Sequence, residues 1–444
     1  MIGRERVIIS AAALSTLATL TTSCGHLPPC PAAGGPVWTE LASAHFRLRT
    51  DEDVAAGRTL LRDLEQLQAA LLTVFGASPD FDSGRLPVIV VDRGWTDFAA
   101  SQIDGYFAHA LFQPLVVMEA GSEAFQVDVI KHELVHYLSA KILPNQPPWF
   151  AEGVASYYQT IEYDADAERV TVGRPVVNLL RWAQQMGTST IERMFTAKTI
   201  DRDDGTRFYA AAWLTVHYLM NHRAEALVGY EKALRTGATP EAAWTAAFGT
   251  QTPAQLASDI ARYADGGQYE VLLFHLAAAT PAAPAARTLS DADTHATRAL
   301  LYLTGAGTRT LAPELAIEAD DPKAAAKREV EEALRAEPDH VTAGAIAHFI
   351  LKAPVDLARA TAATRKDGGD WLAWLVLADG FRLSGNRAGW NDAVARATQL
   401  ARTRSVRPAS GPPGREKLTR ARYGAQRAAN RRWTAASSPS RPGL

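Results

Sequence analysis

Apolar positions in the first third of the chain fall into two rhythms. Phe46–Thr50 alternates apolar and polar residues as a half-buried strand does, and residues 54–75 carry Leu60, Leu61, Leu64, Leu67, Leu71 and Leu72 at helical spacing. Leu86–Val91 is an unbroken, β-branched run, and after Gly105-Tyr106-Phe107 a second run at residues 115–118 predicts another strand. The helix predicted from residue 129 is interrupted at Asn145-Gln146-Pro147-Pro148, and a second one covers residues 149–159. A short strand or turn at residues 169–174, a helix at 176–186 and an apolar helix at 208–220 follow.

From about residue 270 the composition shifts to Ala, Leu and Arg, with residues 281–286 as a hinge-like stretch. With 444 residues and 47% apolar composition, the chain is long enough for a large core and more than one domain. The net charge of -2 conceals an asymmetry: residues 405–444 hold nine Lys or Arg and one Glu, a local +8 that leaves -10 on the rest. That tail, rich in Arg, Pro, Ser and Gly, is expected to be disordered, and nothing in it specifies nucleic acid.

Chemistry concentrates in residues 129–159, VIKHELVHYLSAKILPNQPPWFAEGVASYYQ. His132 and His136 stand four apart, so on a helix both imidazoles share one face and can reach a single metal ion. Glu133 falls about 100° round the same helix, beside the metal, where a carboxylate can take a proton from metal-activated water. Zinc needs a third protein ligand from elsewhere. Pro147 and Pro148 break the first helix and start a second, one turn into which Glu152 can face back towards the histidines. HExxH alone arises by chance in about one or two of a hundred chains this long; the helix break and the placed carboxylate are independent requirements. Zn2+ is the expected ion, although Mn or Co could occupy the same His/His/Glu set.

HELVH followed by PPWFAEGVASYY resembles the gluzincin metallopeptidases. The run Trp149 to Tyr157 is similar to the third-ligand helix of their aminopeptidase branch, and the closest overall likeness is to bacterial peptidase MA-like domains. The likeness covers about residues 41–265 and is specific around the two motif helices. It implies His132, His136 and Glu152 as metal ligands, Glu133 as general base, and the strand at residues 115–119 as an edge that binds substrate backbone; a plain core strand is the alternative for that segment. It also implies that Tyr209, in a Tyr-x-x-small pattern opening the 208–220 helix, stabilises the oxyanion; read from the residues alone, Tyr209 packs with Phe208 and Trp213. The aminopeptidase run Gly-Ala-Met-Glu-Asn is absent, so exopeptidase activity is not implied. Where thermolysin-like members have an Asp one turn after the glutamate ligand, this chain has Ser156, and a hydroxyl or backbone carbonyl must orient the imidazole instead. His217 and His222 are expected to be structural, and His109 to lie on the surface or line the cleft.

Residues 1–23 have Arg4 and Arg6 before an apolar stretch, the pattern of a signal peptide. Ser23-Cys24 with Leu20 nearby resembles a bacterial lipoprotein cleavage box, with Thr21 where Leu is usual, and implies a lipid anchor on Cys24 as the only membrane contact. Cys24 and Cys30 precede any folded pattern, so neither is expected to bind zinc. Residues 324–338 resemble the second helix of a tetratricopeptide repeat, and a similar pattern recurs at residues 371–400.

The expectation is therefore an α+β chain. Residues 1–23 are a signal peptide, 24–40 a linker, 41–270 a gluzincin-like peptidase domain, 287–404 an all-α, tetratricopeptide-like domain and 405–444 a disordered basic tail. The expected function is a zinc endopeptidase of the bacterial cell envelope acting on peptide or protein substrates. The alternative is a peptidase-fold scaffold of weak or no activity that recruits protein partners through its helical C-terminal domain.

Overall fold

The computed structural model describes residues 27–99, 105–121, 128–164, 168–200, 205–266, 269–276, 283–309 and 321–403. The signal segment with Cys24 and the basic tail lie outside these residues. The first hairpin, β1 (Thr39–Ala42) and β2 (Phe46–Thr50), leads into α1 (Val54–Val74), whose first N–H groups are capped by the Asp53 carboxylate. After β3 (Leu86–Val91) comes a second hairpin of β4 (Gly105–Ala110) and β5 (Gln113–Glu119), then α2 (Asp128–Ile142) and α3 (Pro148–Tyr158). Two short strands, β6 (Glu162–Asp164) and β7 (Arg169–Val172), precede α4 (Val177–Ala183), α5 (Thr188–Thr196), α6 (Gly205–His222), α7 (Ala224–Arg235), α8 (Pro240–Phe248) and α9 (Pro253–Gly266). Next, β8 (Leu272–His275) pairs with β7, and β9 (Ala285–Thr288) runs antiparallel beside β1. The helices α10 (Asp291–Arg309), α11 (Pro322–Ala336), α12 (Val341–Ala345), α13 (Leu357–Lys366), α14 (Trp371–Leu383) and α15 (Arg387–Thr403) complete the described chain.

The result is an α+β architecture around a six-stranded mixed sheet of order β4-β5-β3-β2-β1-β9. Its central strands are covered on both faces, which explains the unbroken apolar run at Leu86–Val91. Val88, Val90, Val116 and Met118 point into a core shared with α1, α2, α3 and α6. Ile89, Val91, Leu115 and Val117 point the other way, into a second core with Leu300, Leu301, Val330, Ile346 and Leu377 of the C-terminal helices. The period of two along each strand thus assigns alternate residues to two different helical layers.

Several segments differ from the sequence reading. The strand at residues 115–119 is not an edge: β5 is bonded to β3 on one side and β4 on the other, and β4 is the terminal strand. The β4–β5 turn puts Leu111 and Phe112 at φ 49° and 66°. Such a two-residue turn normally takes Asn-Gly, but here Leu111 is buried and Phe112, though 66% exposed, sets its ring 5.1 Å from Phe349. Within the hinge-like stretch, Ala285 and Ala286 belong to β9. Nor is the proposed linker loose beyond residue 26: Leu27, Cys30 and Trp38 are buried, Arg298 donates to the Pro28 carbonyl, and the linker's last two residues, Thr39 and Glu40, already lie in β1.

Candidate metal centre

The helix α2 carries His132 and His136 on one side, with Nε2 atoms 3.1 Å apart and rings inclined at 78°. Asn145 at φ 63° turns the chain, and Pro148 opens α3 at a position where its missing N–H costs nothing. Glu152, one turn in, brings Oε2 to 3.2 Å from each Nε2. Three atoms from two helices therefore converge on one point. Donors placed tetrahedrally about 2.1 Å from a zinc ion stand roughly 3.4 Å from one another, so this spacing suits a shared ion.

The electrostatics agree. Burial alone would raise the Glu152 pKa, yet hydrogen bonds from His132 and His136 hold it down to about 2, so the carboxylate is ionised throughout the useful range. Burial disfavours the His132 imidazolium, but Glu152, Gln159 and the nearby Glu133 charge outweigh it and raise the pKa. Protons and a metal ion would compete for these atoms, so metal affinity is expected to fall as pH drops. Glu133 is partly buried, and its charge is felt at both His132 and Tyr209. Tyr209, at the start of the second turn of α6, sets its ring 6.3 Å from that of His132; burial, then Glu152 and Glu133, push its phenol pKa up and keep it a donor. The helices thus bring together all five residues singled out in the sequence.

One residue was missed. Gln159, at the C-cap of α3 and seven positions after Glu152, accepts a hydrogen bond from His132 Nδ1 at 2.9 Å. That contact leaves the Nε2 lone pair for the centre, the task expected of Ser156 or a backbone carbonyl. The signal available in sequence was the two-turn spacing from Glu152, which places Gln159 on the same helix face. Replacing Gln159 with Leu is expected to lower metal affinity about 10- to 100-fold, and Gln159→Glu to restore it, as read by competition with a chromogenic chelator.

Behind the centre, α3 packs against α6 through Gly153. A Cβ there would lie 2.4 Å from the Ala212 carbonyl oxygen and 2.6 Å from Val216 Cγ2. His217 on α6 is fully buried and locked: Nε2 donates to the Gly173 carbonyl at 2.9 Å, and Nδ1 accepts from the Tyr263 hydroxyl at 2.8 Å. Gly173, at φ 86°, has no room for a side chain against the Tyr157 ring. Both His217 and His222, whose ring lies tilted against Tyr218 and edge-on to Tyr263, hold aromatic packing together. His109 is exposed on β4 beside Phe107.

Burial holds the His217 pKa down to about 4 from an ordinary 6.5. As pH falls through 6.5 the unfolded chain takes up this proton first, so stability is lost between about pH 6.5 and 4, by an amount on the order of 3 kcal/mol. Denaturant midpoints at pH 7 and pH 4.5 should therefore differ more for the wild type than for His217→Gln.

A second convergent group, Cys30, His295 and Glu329, has a different character. His295 Nδ1 lies 2.6 Å from Glu329 and 3.4 Å from Cys30 Sγ, while Arg298 holds the other Glu329 oxygen at 2.8 Å. Against the cost of burial, the Cys30 and Glu329 contacts raise the His295 pKa to about 10. With Arg298 on its carboxylate, this group forms a hydrogen-bonded charge cluster.

Compared with models of known protein families the chain matches none, and no curated protein is detectably similar to it in sequence.

Proposed function

We propose that the protein is a zinc-dependent endopeptidase of the gluzincin type, exported to the bacterial cell envelope, with an α+β catalytic part and a tetratricopeptide-like helical part. The observation that supports this reading is the convergence of His132 Nε2, His136 Nε2 and Glu152 Oε2 at 3.1 to 3.2 Å, with Glu133 and Tyr209 beside them. A zinc ion held by these three residues would polarise both water and a peptide carbonyl. Glu133 then takes the proton from the attacking water and delivers it to the leaving amine. Tyr209, kept protonated, donates to the oxygen on which charge develops. Gln159 and Glu152 hold the imidazoles in register. β4, terminal in the sheet and with Gly105 against Ile130 of α2, offers backbone groups to an extended peptide by strand addition.

Elemental analysis of protein purified without chelator tests the reading. Near-stoichiometric zinc, with cleavage of an unstructured protein that stops on dialysis against a chelator and returns with zinc, is the expected result. Folded protein that retains no metal, or cleavage indifferent to chelation, would overturn it. Metal without any cleavage leaves the scaffold reading, in which the C-terminal helices recruit protein partners.

A further inference from the structure

A groove of about 610 Å³ opens at the C-terminal end of α2, where the sheet meets the C-terminal helices. Its lining is unlike that of the metal centre. Arg47, Arg85 and Lys141 face it against a single acid, Asp82, whose Oδ1 accepts the Gly84 N–H of its own turn at 2.8 Å. Lys141 Nζ donates to the Ser83 carbonyl at 2.5 Å, an oxygen it shares with the Tyr137 hydroxyl, and lies 4.5 Å from the centre of the Tyr137 ring. Arg85 donates to the Ser43 carbonyl at 2.9 Å. Neither Lys141 nor Arg85 pairs with a carboxylate among the described residues. Burial lowers the Lys141 pKa, and the nearby Asp82 charge offsets only part of that cost. Trp371 and Tyr137 supply flat apolar walls.

We propose that this groove is a binding site for an anionic group, carboxylate or phosphate, carried on a flat apolar body. An ammonium and a guanidinium satisfied only by carbonyl oxygens gain most from an ionised oxygen ligand, because charge-assisted hydrogen bonds replace neutral ones. The volume is that of a small-molecule site, and such sites favour the junction between structural layers. Lys141 lies five residues after His136, about 7.5 Å further along α2 and about 140° round it, so the groove opens on another face of the helix and shares no residue with the metal centre. The inference does not depend on peptidase activity.

Isothermal titration of the full chain with phenyl phosphate, benzoate and benzamide tests it. Phenyl phosphate is expected to bind, benzamide at least tenfold more weakly, and binding should weaken as salt is added. Comparable binding of benzoate would identify a carboxylate site, and its failure a phosphate site. Lys141→Met, which keeps the apolar stem, and Arg85→Gln should each weaken phenyl phosphate at least tenfold, and Lys141→Arg should retain it, with unchanged melting temperatures as the control for folding. Equal affinity in Lys141→Met, benzamide binding as tight as the anions, or no heat from any probe at millimolar concentration overturns the proposal.

Discussion

Replacing Glu133 with Gln is expected to lower peptide-bond cleavage by about 10²- to 10⁴-fold while leaving the bound metal in place. The amide keeps the volume and a hydrogen-bonding oxygen but cannot take a proton, and Glu133 is not among the three atoms that converge at 3.1 to 3.2 Å. The informative result is the combination of the two measurements on one sample. Lost turnover with full zinc content places the residue in proton transfer. Lost turnover with lost zinc would mean that Glu133 holds the metal instead, and undiminished turnover would remove it from the chemistry altogether.

The second large effect is expected at a residue with no side chain of its own, Gly153, next to Glu152. Gly153→Val should detach α3 from α6, since the first added carbon alone would stand 2.4 Å from the Ala212 carbonyl and 2.9 Å from its carbon. A backbone wall cannot yield as a flexible side chain can, and overpacking at such a contact costs about 1 to 3 kcal/mol. The helix has a cheaper escape: it can move as a body and carry Glu152 with it. Zinc affinity should therefore fall more than the melting temperature of the metal-free protein would suggest. Gly153→Ala should show the same effect in milder form. If both variants bind zinc as the wild type does, the α3–α6 contact does not position the ligand.

How far the sequence could be read depended on whether the relevant spacing was local. The pairing of His132 with His136, and the placing of Glu152 after a proline break, follow from helix geometry over a few turns. Residues 46–50 and 86–91 were legible as strands because apolar alternation or β-branched runs mark them within five or six residues. The illegible parts are those fixed by distant partners. β9 is Ala-Ala-Arg-Thr, exposed at every position, and becomes a strand only because β1 offers it an edge. The position of β5 inside the sheet depended on recognising β4, which ends in Leu111-Phe112 where a hairpin is normally announced by Asn-Gly. Gln159 reaches His132 because α2 and α3 cross at one angle, which no single helix encodes. Cys30 meets His295 across most of the chain, in a stretch whose Pro and Gly content reads as slack.

The pairing of β1 with β9 also sets a schedule. Thr39 meets Thr288, so the sheet closes only after nearly 250 intervening residues have been made, and the face bearing Ile89 and Val117 stays bare until α10 and its successors arrive. Contacts this remote in sequence slow folding and lengthen the life of species with open strand edges. A chain released from the ribosome or threaded through a pore from its N-terminus would present β1 and its uncovered sheet long before the segments that shelter them. Such a chain is expected to depend on a holding chaperone during synthesis and to refold from denaturant in good yield only at low concentration.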